Sequence, residues 1–294
     1  MSLRLEMLQV ARVAPSVLGD SASLVETFLR GQQGGDGGFQ NRRGQSDLYY
    51  TVFGIDGLTA LQAELPAVAI ESYLAGFGAG ETLDFVHLCC LLRAWSALSG
   101  SPLPEATRGR ILGQLEAFRT ADGGYHQRPG SGRASAYGCL LGYGAYADHG
   151  LRPANAEGLL EAVEGLRSGD GGWGNEPGMA EGTTPAAAAA VTLYRHLEAP
   201  APEGASDWIL GRLHSEGGFL AFPRAPMPDL LSTGVALHAL DGLEVGLDRL
   251  RDACLDFVDT LWSAAGGFHG NWADDEIDAE YTYYGLLALG HLGL

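Results

Sequence analysis

Apolar residues recur at helical spacing along the chain, in segments that alternate between moderately and strongly apolar. This alternation predicts helix pairs, in which the less apolar helix lies outside and the more apolar helix lies inside. The inner helices are expected at about 47–61, 83–98, 133–148, 184–197, 229–243 and 278–292. The outer helices are expected at about 22–32, 65–75, 104–119, 155–167, 204–215 and 248–262.

Between the two helices of a pair the chain carries two glycines followed by an aromatic residue. The copies are Gly37-Gly38-Phe39, Gly123-Gly124-Tyr125, Gly171-Gly172-Trp173, Gly217-Gly218-Phe219 and Gly266-Gly267-Phe268, with a degraded copy at Gly76-Phe77-Gly78. From the second full copy onward the spacing is roughly 48 residues, which is the length of one structural repeat. Glycine permits the positive φ of a tight turn, and the aromatic ring can fill the gap between the helices.

Six helix pairs that each bury one face need neighbours, and they can close on themselves. We therefore predict an all-α fold, an (α/α)6 toroid or barrel in which the inner helices line a lumen. The whole chain, 1–294, is expected to form one domain. Residues 1–20 are predicted to form a leader helix, interrupted at Pro15, that packs on the ring rather than belonging to it.

Composition narrows the class of function. The 294 residues carry a net charge of -18, which disfavours nucleic acid and anionic membranes as partners. No apolar run is long enough for a membrane span, and the start of the chain lacks a signal-peptide pattern. The 4 cysteines show no spacing typical of secreted proteins, which favours a reduced, cytoplasmic protein. All 18 basic residues are arginines, a bias that suggests a bacterial source with a GC-rich genome.

The stretch from Val25 to Phe39, which reads VETFLRGQQGGDGGF, resembles the repeats of the prenyltransferase and squalene-cyclase superfamily. The resemblance is greatest to protein prenyltransferase β-subunits, and it covers nearly the whole chain. It implies an α-α toroid, an isoprenoid or other apolar small molecule as ligand, and a partner subunit or a homodimer.

The zinc site that this resemblance implies is incomplete. In the β-subunits an Asp-x-Cys pair and a histidine hold zinc; here the aspartate is Asp229, Leu231 stands in the cysteine position and Tyr281 in the histidine position. Leucine cannot bind a metal, so Zn²⁺ is not expected. The candidate catalytic residues are Asp229, Asp278, Glu280 and Tyr281, as acids, bases or ligands of a hard cation.

Two further features bear on a diphosphate ligand. By the resemblance, Arg133 and Arg224 lie near the starts of inner helices, where they would hold an anionic head. The cluster Asp274-Asp275-Glu276-Ile277-Asp278 matches the DDxxD pattern that bridges Mg²⁺ to diphosphate, if it is helical. The alternative is that these carboxylates only stabilise the start of a helix. The Asp-x-Asp-Asp acid of class II cyclases has no counterpart in 181–190.

Alignment of the six inner helices predicts a mainly aromatic wall that faces the lumen. The residues expected there are Tyr49, His87, Tyr137, Leu231, Tyr281 and Tyr284. Aromatic rings suit an isoprenoid chain or a carbocation, and the small side chains of 186–190 leave depth for it. The alternative is that the tyrosines fill a solid core. Cys89 and Cys90, beside His87, are interpreted as buried core residues rather than metal ligands.

Three hypotheses about function follow. The first is an isoprenoid-handling enzyme that acts on a prenyl diphosphate or polyprenyl lipid, in which the tyrosines and His87 contact the substrate. The second is a terpene cyclase with an atypical motif. The third is a non-catalytic ring that binds a lipid or a protein. An open apolar lumen that ends in Arg133, Arg224 and the acidic cluster would favour an enzyme, and a filled lumen would favour a scaffold.

Overall fold

The computed structural model describes residues 1–98, 100 and 102–294, and it is a ring of paired helices. The α-helices in this part of the chain are α1 (Leu3–Ala11), α2 (Ala14–Leu18), α3 (Ala22–Gly31), α4 (Leu48–Ala60), α5 (Ala67–Ala75), α6 (Phe85–Ser96), α7 (Glu105–Leu115), α8 (Ala136–Ala147), α9 (Ala156–Glu164), α10 (Thr184–His196), α11 (Ala205–Leu210), α12 (Leu230–Gly242), α13 (Arg251–Thr260) and α14 (Ala279–Leu292).

The even-numbered helices from α4 to α14 form the inner wall of the ring. Each contacts the next in order, and α14 returns to α4, so the ring is closed. The outer helices α3, α5, α7, α9, α11 and α13 pack on the outside of the inner ones. The predicted toroid is confirmed, and the inner helices begin and end within about three residues of the predicted bounds.

Two short hairpins depart from the expectation of helices alone in the described residues. Strand β1 (Phe39–Gln40) pairs antiparallel with β2 (Ser46–Asp47), and β3 (Phe268–His269) pairs with β4 (Ile277–Asp278). Each hairpin lies directly before an inner helix, α4 or α14. The hairpins fix the loops at one end of the ring, in the first and the last repeat.

The repeated glycines bring successive repeats into contact. Gly37 has φ of 96°, and a Cβ there would lie 2.1 Å from the carbonyl oxygen of Ala69 in α5. Gly266 has φ of 94°, and a Cβ there would lie 2.2 Å from the carbonyl oxygen of Leu24 in α3. Any side chain would push the neighbouring outer helix away. The contact at Gly266 joins the last repeat to the first and closes the outer ring.

The aromatic residue of each full copy is buried, as predicted. Phe39, Tyr125, Trp173 and Phe219 are 0% exposed and Phe268 is 2% exposed. Burying a ring of this size stabilises the fold by about 1.5–3 kcal/mol.

Every inner helix begins at a polar residue whose side chain accepts a hydrogen bond from the first turn of the helix. These N-caps are Asp47, Asp84, Ser135, Thr183, Asp229 and Asp278. Because the inner helices run in the same direction, their N-termini meet at one end of the ring, called the mouth here.

The leader packs on the ring at one end of the inner helices. Helix α1 contacts α4, α8 and α14, and Arg4 donates to Asp56 of α4 at 2.6 Å. Glu6 pairs with Arg195 and with His196, at the far end of α10. Helix α1 therefore lies across the end opposite the mouth, called the closed end here. Pro15 lies in the first turn of α2, so it begins a second helix rather than interrupting one.

No helix in the described ranges is both long enough and apolar enough to cross a membrane.

Candidate functional site

The lumen holds a cavity of about 140 Å³. This volume has room for on the order of ten water-sized groups. All of the inner helices and α1 contribute to its wall, so it lies on the axis of the ring. Its lining comprises Leu3, Met7, Tyr49, Val52, Phe53, Cys89, Cys90, Arg93, Tyr137, Leu140, Leu141, Gly144, Ala145, Asp148, Pro185, Ala188, Ala189, Thr192, Val235, His238, Tyr283 and Tyr284. The sequence predicted a lumen and left open whether it is empty or filled by side chains; the structure shows a mainly apolar cavity there.

The lining is layered along the axis, because each inner helix turns the same face inward. Near the mouth lie Tyr49 and Tyr137, each the second residue of its helix. The next turn is apolar or aromatic and includes Phe53 and Ala189. About two turns further in, the layer becomes polar again, with Arg93 on α6. The lumen therefore has a polar rim, an apolar middle and a polar closed end.

The chemistry at the mouth is concentrated on Glu280, the second residue of α14. The hydroxyl of Tyr49 donates a hydrogen bond of 2.6 Å to Oε1 of Glu280. Burial raises the pKa of Glu280 to about 7, although the hydrogen bond from Tyr49 acts in the opposite direction. Burial also raises the pKa of Tyr49, so its hydroxyl keeps the proton. Glu280 can therefore gain or lose a proton near neutral pH while Tyr49 holds it in place.

Tyr49, Tyr137 and Tyr284 confirm the predicted aromatic wall. All three line the cavity, and the ring of Tyr49 packs edge-on against Phe53 at 5.0 Å between centroids. Burial raises the pKa of Tyr137 and Tyr284 as well, so the hydroxyls stay neutral. Their rings are available to contact an apolar chain or to stabilise positive charge.

Arg42, which the sequence did not single out, organises the acidic cluster. Its guanidinium donates to Asp278 at 2.6 Å and binds both oxygens of Asp274 at 3.0 and 2.8 Å. These ion pairs join the first and last repeats, and no short sequence pattern predicts a contact between residues so far apart in the chain. The hydrogen bonds to Asp274 and Asp278 raise the pKa of Arg42, which stays charged. This ion-pair network joins the two hairpins across the seam of the ring.

The helical interpretation of the Asp274–Asp278 cluster is wrong. Residues 274–276 lie in a loop and Ile277–Asp278 is strand β4, so the two aspartates do not share a helix face. They face Arg42 instead; burial, which raises the pKa of Asp274, is outweighed by hydrogen bonds from Arg42. Asp275 is exposed. Asp278 stabilises the start of α14, as the alternative had it, but Asp274 and Asp275 do not, and the helical arrangement on which the Mg²⁺ prediction rested is absent here.

The candidate catalytic aspartates act as helix caps. Asp229 uses one oxygen for the backbone N–H of Ser232 and the other for the Ser232 hydroxyl, both at 2.7 Å. Burial raises its pKa. Asp278 accepts from the N–H of Tyr281 and from Arg42. Each of the four oxygens thus already accepts a hydrogen bond within the protein, and neither aspartate is in the described lining of the cavity.

Two arginines predicted to lie near the starts of inner helices do lie in the loops before those helices, but outside the cavity. Arg133 lies in the loop before α8, is 58% exposed and pairs with Asp122 at 3.0 Å. Arg224 is 79% exposed and pairs with Glu181 at 2.9 Å. Neither belongs to the lining of the cavity in the described chain. In this arrangement both guanidiniums are held by carboxylates of neighbouring loops rather than presented to the lumen.

Three residues expected to face inward lie at the rim instead. His87 bridges the N-caps Asp84 at 2.8 Å and Asp47 at 3.6 Å, outside the described lining. The hydrogen bond to Asp47 and that to Asp84 raise the pKa of His87 to about 9, so it is charged at neutral pH.

Tyr281 lies 5.3 Å beneath the guanidinium of Arg42, and burial raises the pKa of its hydroxyl to about 12. Leu231 is partly buried beside the mouth. His87 and Tyr281 come one residue after the inward-facing position of their helices, and on a helix one residue is a rotation of about 100°.

The cysteines are buried, as expected, but Cys89 and Cys90 line the cavity rather than only filling the core. Burial raises both thiol pKa values, so they remain protonated. No cluster of three or more metal-binding side chains is found in the described part of the chain.

The comparisons place this architecture in a known family. The chain belongs to the prenyltransferase alpha-alpha toroid domain family, whose model matches residues 5–78 and 186–293. No curated protein matches the chain.

Solved structures share the fold at low identity. The chain is similar to the type II terpene cyclase MstE from Scytonema in complex with geranylgeranyl dihydroxybenzoate, at 13% identity and a TM-score of 0.66, covering 95% of this chain and 97% of that one. It is also similar to Candida albicans protein geranylgeranyltransferase-I complexed with GGPP, at 13% identity and a TM-score of 0.64, covering 92% and 90%. A protein from Actinoplanes is 15% identical with a TM-score of 0.64, covering 94% and 99%.

Proposed function

We propose that this protein binds an isoprenoid in its lumen and transfers a proton to or from it, with Glu280 as the acid or base. The observation that carries the proposal is the partly buried Glu280 carboxyl at the mouth, which has a pKa of about 7. Glu280 is not itself in the described lining of the cavity, but it is held by Tyr49, which is. A general acid or base works best when its pKa lies near the working pH. Two solved neighbours hold geranylgeranyl compounds, which supports an isoprenoid as the ligand class.

The charges at the mouth favour a ligand with a neutral head. The acidic side chains of Asp47, Asp84, Asp274 and Asp278 already engage the nearby cations Arg42 and His87. A diphosphate would meet more negative than positive charge there. An alcohol, an aldehyde or an ester fits this electrostatic environment, and it requires neither Mg²⁺ nor Zn²⁺.

The raised pKa of Glu280 favours proton transfer of a milder kind over squalene-type cyclisation. Protonation of an unactivated alkene needs an unusually strong acid, whereas a carboxyl with a raised pKa is a weaker acid than usual. Glu280 is better suited to removing a proton next to a carbonyl or a developing cation, or to assisting the loss of a neutral leaving group. The tyrosine rings would stabilise positive charge in such a step.

Deuterium incorporation tests this proposal without knowledge of the product. The protein is incubated in D₂O with geraniol, farnesol, geranylgeraniol, their aldehydes and farnesyl diphosphate, and each compound is recovered for mass spectrometry. We expect the protein to introduce deuterium into a neutral isoprenoid, and Glu280→Gln to abolish this while binding persists. Glu276→Gln, which alters an exposed carboxylate beside the mouth, is the matched control.

The outcomes separate the competing functions. If the compounds bind but none of them takes up deuterium or is converted, a non-catalytic ring that binds a ligand is the better explanation. If farnesyl diphosphate is the one compound that is converted, the proposal that the ligand has a neutral head group is refuted. A partner subunit or homodimer stays a prediction, which native mass spectrometry can address.

A further inference from the structure

The closed end of the lumen gathers polar side chains that no part of the proposed proton transfer uses. Arg93, Asp148, His238 and Tyr283 come from four different inner helices or their ends, and all of them line the same cavity. Sequence reasoning had singled out none of them. Charged and polar groups around an otherwise apolar cavity are expensive to bury, so their presence calls for a physical explanation.

Each of these residues has a buried polar atom that makes no hydrogen bond within the described residues: Arg93 Nε, Asp148 Oδ1, Tyr283 Oη and His238 Nε2. The last of these lies 3.7 Å from Oε1 of Glu6, which is beyond hydrogen-bond distance. Tyr283 is only 1% exposed and His238 only 4%. Since native proteins rarely leave buried polar groups unpaired, this concentration points to a polar group that belongs between them.

The ion pairs around this end leave it close to neutral. Asp56 accepts from Arg4 at 2.6 Å and from Arg93 at 3.1 Å, so one buried carboxylate serves two guanidiniums. Asp148 supplies the second carboxyl group, within electrostatic range of Arg93 and Tyr283, and burial raises its pKa. Arg4 and Arg93 are matched by the carboxyl groups of Asp56 and Asp148, and Arg195 is matched by Glu6, so neither an anion nor a cation gains a strong net attraction.

We propose that the closed end of the lumen binds a hydroxyl group at the inward end of an elongated apolar ligand. A hydroxyl can accept from Arg93 Nε and donate to Asp148 Oδ1, and the Tyr283 hydroxyl can do either. An apolar end would displace water and leave these atoms unpaired, which costs affinity. A carboxylate or phosphate would place an anion beside Asp148. The hydroxyl site is argued independently of the proposed function. Only the assumption that the apolar part of the ligand is an isoprenoid rests on it.

A pair of ligands that differ in one hydroxyl tests the inference. Geraniol and 2,6-dimethylocta-2,6-diene are C10 isoprenoids with and without a hydroxyl, and 1-decanol and decane repeat the comparison without isoprenoid character. Affinities are measured by competition with a fluorescent apolar probe in one cosolvent. We expect each alcohol to bind at least about tenfold more tightly than its hydrocarbon.

Matched tyrosine variants show which end holds the hydroxyl. Tyr283→Phe should weaken the alcohols about two- to tenfold and leave the hydrocarbons unchanged, which is the loss of one neutral hydrogen bond. It removes only an unpartnered atom, so its melting temperature should not fall. Tyr146→Phe removes a hydroxyl that binds Glu116 outside the described lining of the cavity, so this matched control should leave the preference for alcohols unchanged. Tyr49→Phe makes the same change at the mouth, and loss of the preference there would place the hydroxyl at the mouth instead.

Several results would overturn the inference. These are equal binding of alcohol and hydrocarbon by the unmodified protein, equal weakening of both by Tyr283→Phe, loss of the preference in Tyr49→Phe instead, or no binding of any probe. The straight-chain pair separates the two proposals. If 1-decanol shows the Tyr283-dependent preference while no isoprenoid binds or is converted, the hydroxyl site stands and the proposed function fails.

Discussion

Replacing Glu280 by Gln tests the central electrostatic claim independently of any substrate. Burial raises the pKa of this carboxyl from an ordinary 4.5 to about 7 in the folded protein. Between these pH values the folded protein keeps a proton that the unfolded chain has released. Folding is therefore favoured by this group below pH 4.5, and that contribution is lost as the pH rises toward 7. The amide that replaces the carboxyl in Glu280→Gln has no such titration.

The size of the change in the free energy of unfolding follows from the difference between the pKa values of Glu280 in the unfolded and folded states. One pKa unit corresponds to about 1.36 kcal/mol, so the wild-type protein should lose about 3 kcal/mol relative to Glu280→Gln between pH 4.5 and about 8. Urea unfolding curves of both proteins, followed by circular dichroism across this range, give the difference. Other titrating groups largely cancel, because they are common to both proteins.

A control and a second variant sharpen the test. Glu105→Gln removes one negative charge at a site that is 92% exposed, so it controls for net charge. Tyr49→Phe removes the hydrogen bond that lowers the pKa of Glu280, and the titration window should extend to higher pH. If the difference between wild type and Glu280→Gln does not vary with pH, the carboxyl is not perturbed and its proposed role as acid or base loses its basis.

The remaining predictions concern the seam, the leader, acid stability and metal content. Arg42→Ala leaves the buried Asp278 unpaired and should cost about 3–5 kcal/mol in urea unfolding, whereas Arg43→Ala should have little effect; equal effects would show that the seam pairs add nothing. Arg4→Leu should speed amide hydrogen exchange in residues 3–18 before the ring opens, and unchanged exchange would contradict the anchoring role. Burial lowers the pKa of His291 to about 3, so stability should fall as pH drops below 6.5, less so in His291→Gln; equal slopes in melting temperature would refute this. Elemental analysis should find far less than one zinc per chain, and stoichiometric zinc after dialysis against a weak chelator would contradict the prediction.

The fold was predictable because its determinants are local and repeated. A glycine of positive φ, an aromatic residue and an N-cap occur in nearly every copy, so each repeat confirms the others. The inward positions of Tyr49, Tyr137 and Tyr284 followed from the same register. The prediction that His87 and Tyr281 face the lumen was wrong, because an error of one residue in the helical register rotates a side chain away from it.

The site was less predictable because its contacts join distant parts of the chain. Arg42 meets Asp274 and Asp278 only after the ring closes, and no periodicity encodes that pairing. Arg133 and Arg224 were assigned from loops, whose course changes more readily than that of helices. A signal for the closed end did exist: Asp56 and Arg93 are charged residues inside otherwise apolar inner helices, and such residues are rarely buried without a partner.

The layering of the lumen also limits the length of the ligand. Tyr49 and Asp56 are the second and ninth residues of α4, so the rim and the closed end are separated by about 10 Å along the axis. A cavity of about 140 Å³ between them holds on the order of ten water-sized groups. For the isoprenoid proposed as ligand, a chain of about ten carbons would span the two ends, and a geranylgeranyl group, which the structural neighbours hold, would extend beyond them. A short isoprenoid with a polar group at each end can meet Glu280 and the closed-end hydroxyl site together, whereas a longer one would have to displace α1 or leave one end unbound.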